Sequence, residues 1–226
     1  MNIQMPRHIG FIVDGNRRWA RAKGMSINEG HKRGAKNLEI IAKACFAIGI
    51  PSVTFYIFST ENWQRSNLEV NFLMNLFQKQ IAKYIKEFNQ KDIAVNIIGE
   101  KDGLARPIKK LIGNNRQNSI KTIKGNLNLA LNYGGQDEIV SICQNLVKNN
   151  QTISRENIEK NLYLANQLPV DLIIRTSGEI RLSGFLLWQS AYAELYFSKK
   201  YWPDFTLLDL QLAIREYSKR VRRFGK

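Results

Sequence analysis

Residues 8–19 read His8-Ile9-Gly10-Phe11-Ile12-Val13-Asp14-Gly15-Asn16-Arg17-Arg18-Trp19, and they decide the fold. An apolar run typical of a buried strand passes directly into a carboxylate, a glycine, an amide and two guanidinium groups. Glycine lets the backbone approach a ligand closely, and the free N–H groups of a helix start favour an anion such as phosphate. Asp14 would repel that phosphate unless a cation lay between them, and Mg²⁺ is the usual bridge. The stretch therefore predicts a Mg²⁺–diphosphate site at the carboxyl end of a first strand.

The composition is that of an ordinary globular protein with an unusual charge. The chain has 226 residues, of which 44% are hydrophobic and 23% charged, and this length fits one domain with a full-sized core. Its 34 Lys and Arg against 19 Asp and Glu give a net charge of +15. Such an excess attracts polyanions, whether nucleic acid, anionic lipid headgroups or phosphorylated substrates. General solubility accounts equally well for most surface lysines, but not for arginines grouped beside Gly, Ser and Asn.

Several classes of protein are excluded by motifs that the sequence lacks. Cys45 and Cys143 lie in apolar helical patterns without a CxxC or Cys/His cluster, which predicts buried free thiols and no structural zinc. Residues 1–7 lack the apolar stretch of a signal peptide, and no uncharged run approaches the ~20 residues of a membrane span. The GxxxxGK[ST], GxGxxG and GxSxG motifs are absent. We therefore expect a cytoplasmic protein that touches a membrane only from its surface.

Strand-like runs alternate with helical patterns along the whole chain. The predicted strands are residues 8–13, 52–57, 93–98, 127–132, 171–174 and 194–197. The predicted helices are residues 34–48, 68–90, 108–123, 137–147, 155–162 and 207–220. This alternation predicts a single α/β domain, over residues 1–226, with a mostly parallel six-stranded sheet flanked by helices.

Polar clusters directly follow four of these predicted strands. In parallel α/β sheets, ligands bind outside the carboxyl ends of the strands. The clusters are residues 14–18, 59–65, 132–135 and 175–183. We expect them to meet at one edge of the sheet, where an excess of arginine over carboxylate fits two diphosphates and a Mg²⁺. The charged groups expected at that edge are Asp14, Glu194, Arg18, Arg65, Arg175 and Arg181.

The second predicted helix carries more large apolar residues than one sheet face needs. Phe72, Leu73, Leu76, Phe77 and Ile81 recur at helical spacing. Core packing is the default interpretation of such a stripe. The alternative is the wall of a hydrophobic channel beside the polar edge, and the stripe alone favours packing.

Taken together, the motifs resemble those of the cis-prenyltransferase family, in particular the bacterial undecaprenyl diphosphate synthases. The resemblance spans nearly the whole chain, over residues 8–19, 30–35, 58–65, 132–135, 171–179, 181–189, 192–197, 202–205 and 222–225. It implies condensation of isopentenyl diphosphate onto an allylic diphosphate, usually farnesyl diphosphate, with each new double bond cis. The implied product is a long-chain polyprenyl diphosphate such as undecaprenyl diphosphate, a lipid-carrier precursor.

The resemblance also implies roles for residues of this chain. Asp14 would hold the Mg²⁺ that assists departure of the allylic diphosphate, Asn62 would be a second catalytic residue, and Glu194 would help to bind metal. Isopentenyl diphosphate would be held by Arg175, Arg181 and Ser183. The other residues expected to bind substrate, around the allylic diphosphate or in the turn that orders over the substrates, are Gly15, Asn16, Arg17, Arg18, Trp19, His31, Ser59, Thr60, Glu61, Trp63 and Arg65.

Two further features follow from the resemblance. The closing residues 223–225 look like the tail that reaches the partner subunit's site, which implies a homodimer. The family's fold has a hydrophobic tunnel beside the sheet. The resemblance therefore favours the interpretation that Phe72, Leu73, Leu76 and Phe77 line this tunnel.

Three positions depart from the family's pattern. Ile27 stands where many relatives have an arginine that aids the allylic diphosphate, and Ile180 stands where some place a histidine near the metal. Ser66 replaces a common proline and, with Glu69 three residues later, forms a capping-box signature. None of these changes removes a group that the chemistry requires.

Simpler roles exist for several of the singled-out residues. Trp63 would serve equally as a hydrophobic plug in the turn. His31 would be only a helix-start residue, Glu69 would only close the capping box, and His8 would support the first turn structurally.

Two other functions compete with the transferase. A basic nucleic-acid-binding protein would explain the +15 charge, but its arginines and aromatics would share one stripe or recognition helix, and here the arginines lie in separate turns after strands. We therefore expect no nucleic-acid partner. A catalytically silent partner subunit of an active prenyltransferase is the second alternative, and the intact Asp14, Asn16 and Arg18 argue against it. Product length and the preferred allylic primer stay open.

Overall fold

The computed structural model describes residues 4–114 and 123–220. Its strands are β1 His8–Ile12, β2 Ser52–Ser59, β3 Ile93–Ile98, β4 Gly125–Tyr133, β5 Leu172–Arg175 and β6 Glu194–Phe197. Its α-helices are α1 Asn16–Ala22, α2 Ile27–Ala47, α3 Asn67–Asn89, α4 Arg106–Asn114, α5 Gly135–Lys148, α6 Arg155–Asn161 and α7 Leu207–Ser218. Two 3₁₀ helices in these ranges are Thr60–Gln64 and Trp202–Asp204.

The six strands form one sheet in the order β3-β4-β2-β1-β5-β6, and every pairing is parallel. Ile9 of β1 pairs with Val53 of β2 on one side and with Leu172 of β5 on the other. Every residue of β1 and β5 is buried, which explains why their sequences are continuously apolar rather than alternating. The predicted α/β domain with a parallel six-stranded sheet flanked by helices is confirmed. The chain reverses its winding direction between β1 and β5, and in such sheets a ligand crevice opens at that point.

Aromatic residues fill the core between the central strands and α2. Phe11 and Phe55 stack with their ring centroids 4.7 Å apart. Trp202 packs on both rings, and its indole N–H donates a hydrogen bond to the Gly34 carbonyl of α2 at 2.8 Å. The turn that carries Trp202 therefore fixes α2 over the sheet.

Helix α2 begins seven residues before the predicted start at residue 34. Its N-cap is Ser26, whose side chain accepts a hydrogen bond from the Glu29 N–H at 3.2 Å. This Ser-x-x-Glu pattern is a capping-box signature of a helix start. Gly30 and Gly34 in the first turns weaken the helical pattern of the sequence there, so the predicted helix began too late.

Those glycines, Gly30 and Gly34, are where α1 rests directly on α2. A Cβ added at Gly30 would collide with the backbone carbonyl of Asn16, and one added at Gly34 would collide with its side chain. The two helices therefore approach each other with no side chain of α2 between them, which fixes Asn16 against α2.

The remaining predicted elements match within a few residues. β2 extends to Ser59 and β4 begins at Gly125, which adds residues at the ends of two predicted strands. The predicted helix 108–123 corresponds to α4 as far as Asn114, and most of its remainder lies outside the described residues. The predicted tail motif 222–225 also lies outside them.

The cysteine prediction is half right. Both thiols are free, and Cys45 is fully buried, whereas Cys143 is only half-buried because its side of α5 is partly open. Among the residues that the structure describes, no helix is long and apolar enough to cross a membrane.

Candidate active site

A cavity of about 500 Å³ opens at the carboxyl ends of β1, β2 and β5, between α1, α2 and α3. Polar side chains gather at one part of its wall and apolar ones at another. The polar and glycine part consists of Asp14, Gly15, Asn16, Arg17, Arg18, Arg21, His31, Ser59, Asn62, Arg65, Arg175 and Ser183. The apolar part includes Leu38, Leu73, Leu76, Phe77, Ile81, Tyr84 and Leu129. Three of the four polar clusters that follow the strands, residues 14–18, 59–65 and 175–183, thus meet at one edge, whereas residues 132–135 do not line the cavity.

Asp14 lies between two arginines at this edge. Its Oδ2 accepts hydrogen bonds from Arg18 at 3.1 Å and from Arg175 at 3.0 Å. Arg18 lies one helical turn after Asp14, and Arg175 is the last residue of the neighbouring strand β5. The two guanidinium groups balance the negative charge of Asp14, and Arg18 also pairs with a second carboxylate, Glu179.

The Arg175 side chain is buried and has several acceptors. Besides Asp14, it donates to the Arg181 carbonyl at 2.6 Å and to the Ser183 hydroxyl at 2.8 Å. Its Nε has no partner among the described residues. These three contacts fix the position of the guanidinium at the cavity wall.

Glu179 joins two arginines at the rim. Arg18 donates to one of its carboxylate oxygens at 2.6 Å, and Arg181 donates to the other at 2.7 Å. Both hydrogen bonds lower the pKa of Glu179. Arg181 does not line the cavity in this conformation, because this pairing holds its guanidinium at the surface.

A second carboxylate, Glu69 of α3, organises the opposite side of the polar region. It is only 8% exposed, and its Oε1 accepts hydrogen bonds from His31 at 3.0 Å and from Arg65 at 3.1 Å. The Arg17 Nε lies 3.7 Å from its other oxygen. Burial raises the pKa of Glu69, but the His31 hydrogen bond and the nearby arginines outweigh it and lower the pKa overall.

The capping-box interpretation of Glu69 accounts for only half of this geometry. The Ser66 hydroxyl accepts a hydrogen bond from the Glu69 N–H at 3.4 Å, so Ser66 does cap α3. The Glu69 carboxylate turns to His31 and Arg65 instead of closing the box. Burial lowers the pKa of His31 against the opposing effect of Glu69, so the imidazole is neutral at pH 7. Glu69 is thus a site residue that the sequence analysis missed.

Asn16 presents an unpaired acceptor inside the site. Its amide donates to the Val13 carbonyl at 3.4 Å, while its Oδ1 is buried without a hydrogen-bond partner. A buried polar atom without a partner costs about 1–3 kcal/mol. Gly15 before it has a φ of 105°, a left-handed conformation that glycine adopts without strain.

The turn after β2 contributes some of its predicted residues to the cavity and not others. Ser59, Asn62 and Arg65 line it, and the Asn62 side chain accepts from the Ser59 N–H at 3.2 Å. Trp63 packs edge-on against Phe58 and donates to the Asn132 side chain at 2.7 Å. In this conformation Trp63 therefore acts as a hydrophobic plug in the turn and does not line the cavity.

Other predicted residues also lie away from the cavity. Thr60 donates to Asp137 at 3.0 Å, Glu61 is exposed, and Trp19 is buried beside Lys23. In this conformation they do not touch the space that the arginines surround.

The expectation that Glu194 lies at the carboxyl edge of the sheet is wrong. Glu194 is the first residue of β6 and pairs with Leu172, the first residue of β5, so it lies at the amino edge. Its carboxylate accepts a hydrogen bond from Arg220 at 2.7 Å. Within a single chain, Glu194 and Asp14 therefore lie at opposite edges of the sheet. The role of Glu194 as a metal ligand stays a prediction.

The apolar part of the wall comes largely from one face of α3. Leu73, Leu76, Phe77 and Ile81 line the cavity at helical spacing. Phe72, which borders this face four residues before Leu76, does not line the cavity in this conformation, and its place in a tunnel wall stays a prediction. Leu73, Phe77 and Ile81 also belong to the main core, so core packing and a wall role coexist in the same residues.

A carboxylate in an arginine-rich cavity fits the chemistry of Mg²⁺ with a diphosphate. The described residues contain no group of three or more His, Cys, Asp or Glu side chains that could hold a metal by themselves. Mg²⁺ is commonly bound through one or two carboxylates together with substrate phosphates and water. Asp14, which lines a cavity rich in arginine, matches that donor set.

The chain belongs to the family described as "Putative undecaprenyl diphosphate synthase", whose profile matches residues 12–225. It is thus a prenyl transferase of the cis-prenyl diphosphate synthase type. The isoprenyl transferase of Thermotoga maritima is 42% identical, over 99% of this chain and 98% of its own length. The isoprenyl transferase of Treponema denticola is also 42% identical, over 97% of each chain.

Solved structures agree with this assignment. The lavandulyl diphosphate synthase of Lavandula x intermedia, solved with dimethylallyl diphosphate, superposes with a TM-score of 0.92 at 33% identity, covering 98% of this chain and 99% of that one. A probable undecaprenyl diphosphate synthase from Campylobacter jejuni has a TM-score of 0.82 at 30% identity, covering 100% of both chains.

Proposed function

We propose that this protein is a Mg²⁺-dependent cis-prenyltransferase that adds isopentenyl diphosphate units to an allylic diphosphate such as farnesyl diphosphate, giving a long-chain polyprenyl diphosphate such as undecaprenyl diphosphate. One observation carries the proposal: a single cavity joins an arginine-lined region around Asp14 to an apolar wall from α2 and α3. A substrate with a charged diphosphate and a hydrocarbon chain needs both regions in one space.

The charge of the polar region supports two diphosphates. Among the described residues, five arginines and one carboxylate, Asp14, line the cavity, while Glu69 and Glu179 pair with three of these arginines at its border. Guanidinium groups bind phosphate oxygens through bidentate, charge-assisted hydrogen bonds. These hydrogen bonds are stronger where water is excluded. Catalysis then rests on stabilising the negative charge that gathers on the departing diphosphate.

The two diphosphates are assigned to two sides of Asp14. Asn16, Arg17 and Arg18 with Gly15 and Arg65 would hold the allylic diphosphate on the α1 side. Asn16 Oδ1, buried without a partner among the described residues, would gain a donor from a bound water, and the Asn16 Nδ2 group is the donor that suits a diphosphate oxygen. The cations assigned to isopentenyl diphosphate on the β5 side are Arg175 and Arg181, with Ser183.

Asp14 is the residue that would hold the metal. Mg²⁺, when bound, supplies positive charge that helps the allylic diphosphate to leave. Arg18 and Arg175 orient the carboxylate of Asp14, because both donate a hydrogen bond to the same oxygen, Oδ2. Asn62, which lines the cavity from the turn after β2, is proposed to act beside it.

The apolar wall would receive the growing chain. Leu73, Leu76, Phe77 and Ile81 exclude water from the hydrocarbon, and a dry site protects an allylic cation from capture by water. We propose that this part of the cavity is the opening of the hydrophobic tunnel implied by the family resemblance.

The nucleic-acid alternative is disfavoured by where the arginines lie. Arg17, Arg18, Arg65 and Arg175 converge on one cavity instead of forming a stripe on one helix face. We propose a cytoplasmic homodimer with peripheral membrane contact and no nucleic-acid partner.

The proposal is tested by incorporation of labelled isopentenyl diphosphate with farnesyl diphosphate and Mg²⁺, with and without EDTA, and with products separated by chain length. A ladder that ends at one dominant length and disappears with EDTA is expected. No incorporation by a folded, dimeric protein would instead support the silent-partner alternative.

A further inference from the structure

The outer face of α7 carries three large apolar side chains in its first two turns. Leu207, Leu208 and Leu212 are 46%, 69% and 48% exposed. Single exposed leucines are normal on a protein surface, but three within six residues on one helix face form a patch. We call these three residues the leucine face.

Basic side chains continue the same face toward the end of α7. Arg215 lies two turns after Leu208, and Lys219 lies two turns after Leu212, so these positions share one side of the helix. Lys219 pairs with Glu216, and Asp209 of this helix is turned inward to the cap at Thr206. The face is therefore apolar at its start and basic at its end.

The start of α7 is fixed beside α2. The Asn37 side chain of α2 donates to the backbone carbonyls of Trp202 at 2.7 Å and Phe205 at 3.0 Å, immediately before α7 begins. Exposed side chains on the turns of α2 that flank Asn37 are Arg33, Lys36 and Ile40. The leucine face thus lies beside a second strip of basic and apolar residues.

The opposite side of α2 forms part of the cavity wall. His31, Gly34, Ala35 and Leu38 line the cavity from this helix. The contacts of Asn37 thus connect the start of α7 to the helix that lines the cavity.

We propose that the leucine face and the basic residues that continue it dock this protein on the surface of an anionic lipid bilayer. Leucines at the acyl boundary and Lys or Arg at the headgroups are the two signals that such peripheral contact needs. A second copy of this chain is a poorer occupant, because it would bring Arg215 and Lys219 against like charges on a protein of net charge +15. The choice of a membrane rests on the proposed function, whose product is a long hydrocarbon.

The test is flotation of the full chain with vesicles of phosphatidylcholine alone and of phosphatidylcholine with phosphatidylglycerol. The test variant carries Leu207→Gln, Leu208→Gln and Leu212→Gln, since glutamine keeps helix propensity. The matched control carries Val140→Gln and Val147→Gln on α5, whose side chains are 55% and 62% exposed. Wild type and control should bind the anionic vesicles, whereas the leucine variant should bind at least tenfold more weakly.

Three outcomes would overturn the docking proposal: no binding of wild type to anionic vesicles, unchanged binding of the leucine variant, or an equal loss in the valine control. Sedimentation velocity adds a fourth, because conversion of a dimer to a monomer by the leucine variant would make this face a contact between copies. Circular dichroism and incorporation of isopentenyl diphosphate in detergent should be unchanged in the variant. Because flotation needs no turnover, a protein that binds vesicles through this face but makes no polyprenyl product would refute the proposed function and leave the docking surface intact.

Discussion

The guanidinium of Arg175 lies 3.0 Å from the Oδ2 atom of Asp14, although 161 residues separate them along the chain. The contact exists because β1 and β5 are neighbours at the point where the sheet reverses its winding direction. Asp14 follows one strand and Arg175 ends the other, so the fold itself brings the proposed metal ligand to the proposed binder of isopentenyl diphosphate.

Replacing Asp14 tests the metal-assisted scheme. Asp14→Ala should lower kcat by on the order of 10³-fold or more, since a charge-stabilising group in a dry site is lost. Circular dichroism should show the fold retained. The Asp14→Asn variant keeps the shape and an acceptor for Arg18 and Arg175, so it separates the effect of charge from that of packing. A fully active Asp14→Ala protein would remove the scheme.

Glu69 should act as a positioning residue for His31 and Arg65. Glu69→Gln removes the charge that orients both, and misplacing a binding group by about 1 Å can cost on the order of 10²-fold in rate. We expect kcat/KM for the allylic substrate to fall by about 10–100-fold. The matched control is Glu87→Gln on the same helix, which pairs with Lys43 away from the cavity. If Glu69→Gln and Glu87→Gln had the same kcat/KM, Glu69 would not position His31 and Arg65 for catalysis and its role would be purely structural.

The buried His8 predicts a loss of stability in mild acid. Its Nδ1 donates to the Leu168 carbonyl and its Nε2 accepts from Thr54, both at 2.7 Å, and burial lowers its pKa to about 4. The unfolded chain binds this proton near pH 6.5, so the stabilisation is complete above pH 6.5 and is lost as the pH falls toward 4. The total is about 3 kcal/mol by linkage.

The measurement is urea unfolding at pH 7.5 and pH 4.5, for wild type and His8→Gln. When the pH is lowered from 7.5 to 4.5, the free energy of unfolding of the wild type should decrease by more than that of the variant. The variant has no group that titrates at this position. Parallel pH dependence in the two proteins would mean that His8 is solvated enough to titrate normally.

The cavity wall on α3 should set the product length. Leu76→Trp fills space on the lining face and should shorten the longest product, whereas Leu76→Ala should lengthen it. The control is Leu68→Trp, the same change at a leucine of α3 that is 85% exposed and does not line the cavity, which should leave the length unchanged. A product distribution that responds to Leu68 and ignores Leu76 would contradict the assignment of this face.

Much of the fold was predictable because buried parallel strands are continuously apolar and their following turns are polar. The rule that ligands bind at the carboxyl edge then correctly gathered Asp14, Arg18, Arg65 and Arg175 from three separate segments. Glu194 does not follow this rule, because it is the first residue of the strand predicted over 194–197, and the first residue of a parallel strand lies at the amino edge. The pairing of Glu194 with Leu172, the first residue of β5, confirms that position.

Glu69 escaped the sequence analysis for a different reason. Its position three residues after Ser66 satisfied a local pattern, while its partner His31 lies 38 residues away on another helix. A local motif that is complete in sequence gives no indication of a second, long-range use of the same side chain.

The contact of Asn16 with Gly30 and Gly34 has a consequence for how this enzyme scaffold can change. Since no side chain of α2 separates Gly30 and Gly34 from Asn16, a larger residue at either glycine would displace α1 and with it the proposed diphosphate-binding residues. Helix α3 lines the cavity through side chains, among them Leu73, Leu76 and Phe77. Divergence in the length of chain that the scaffold makes is therefore expected to accumulate on α3, while the anion-holding half stays constant.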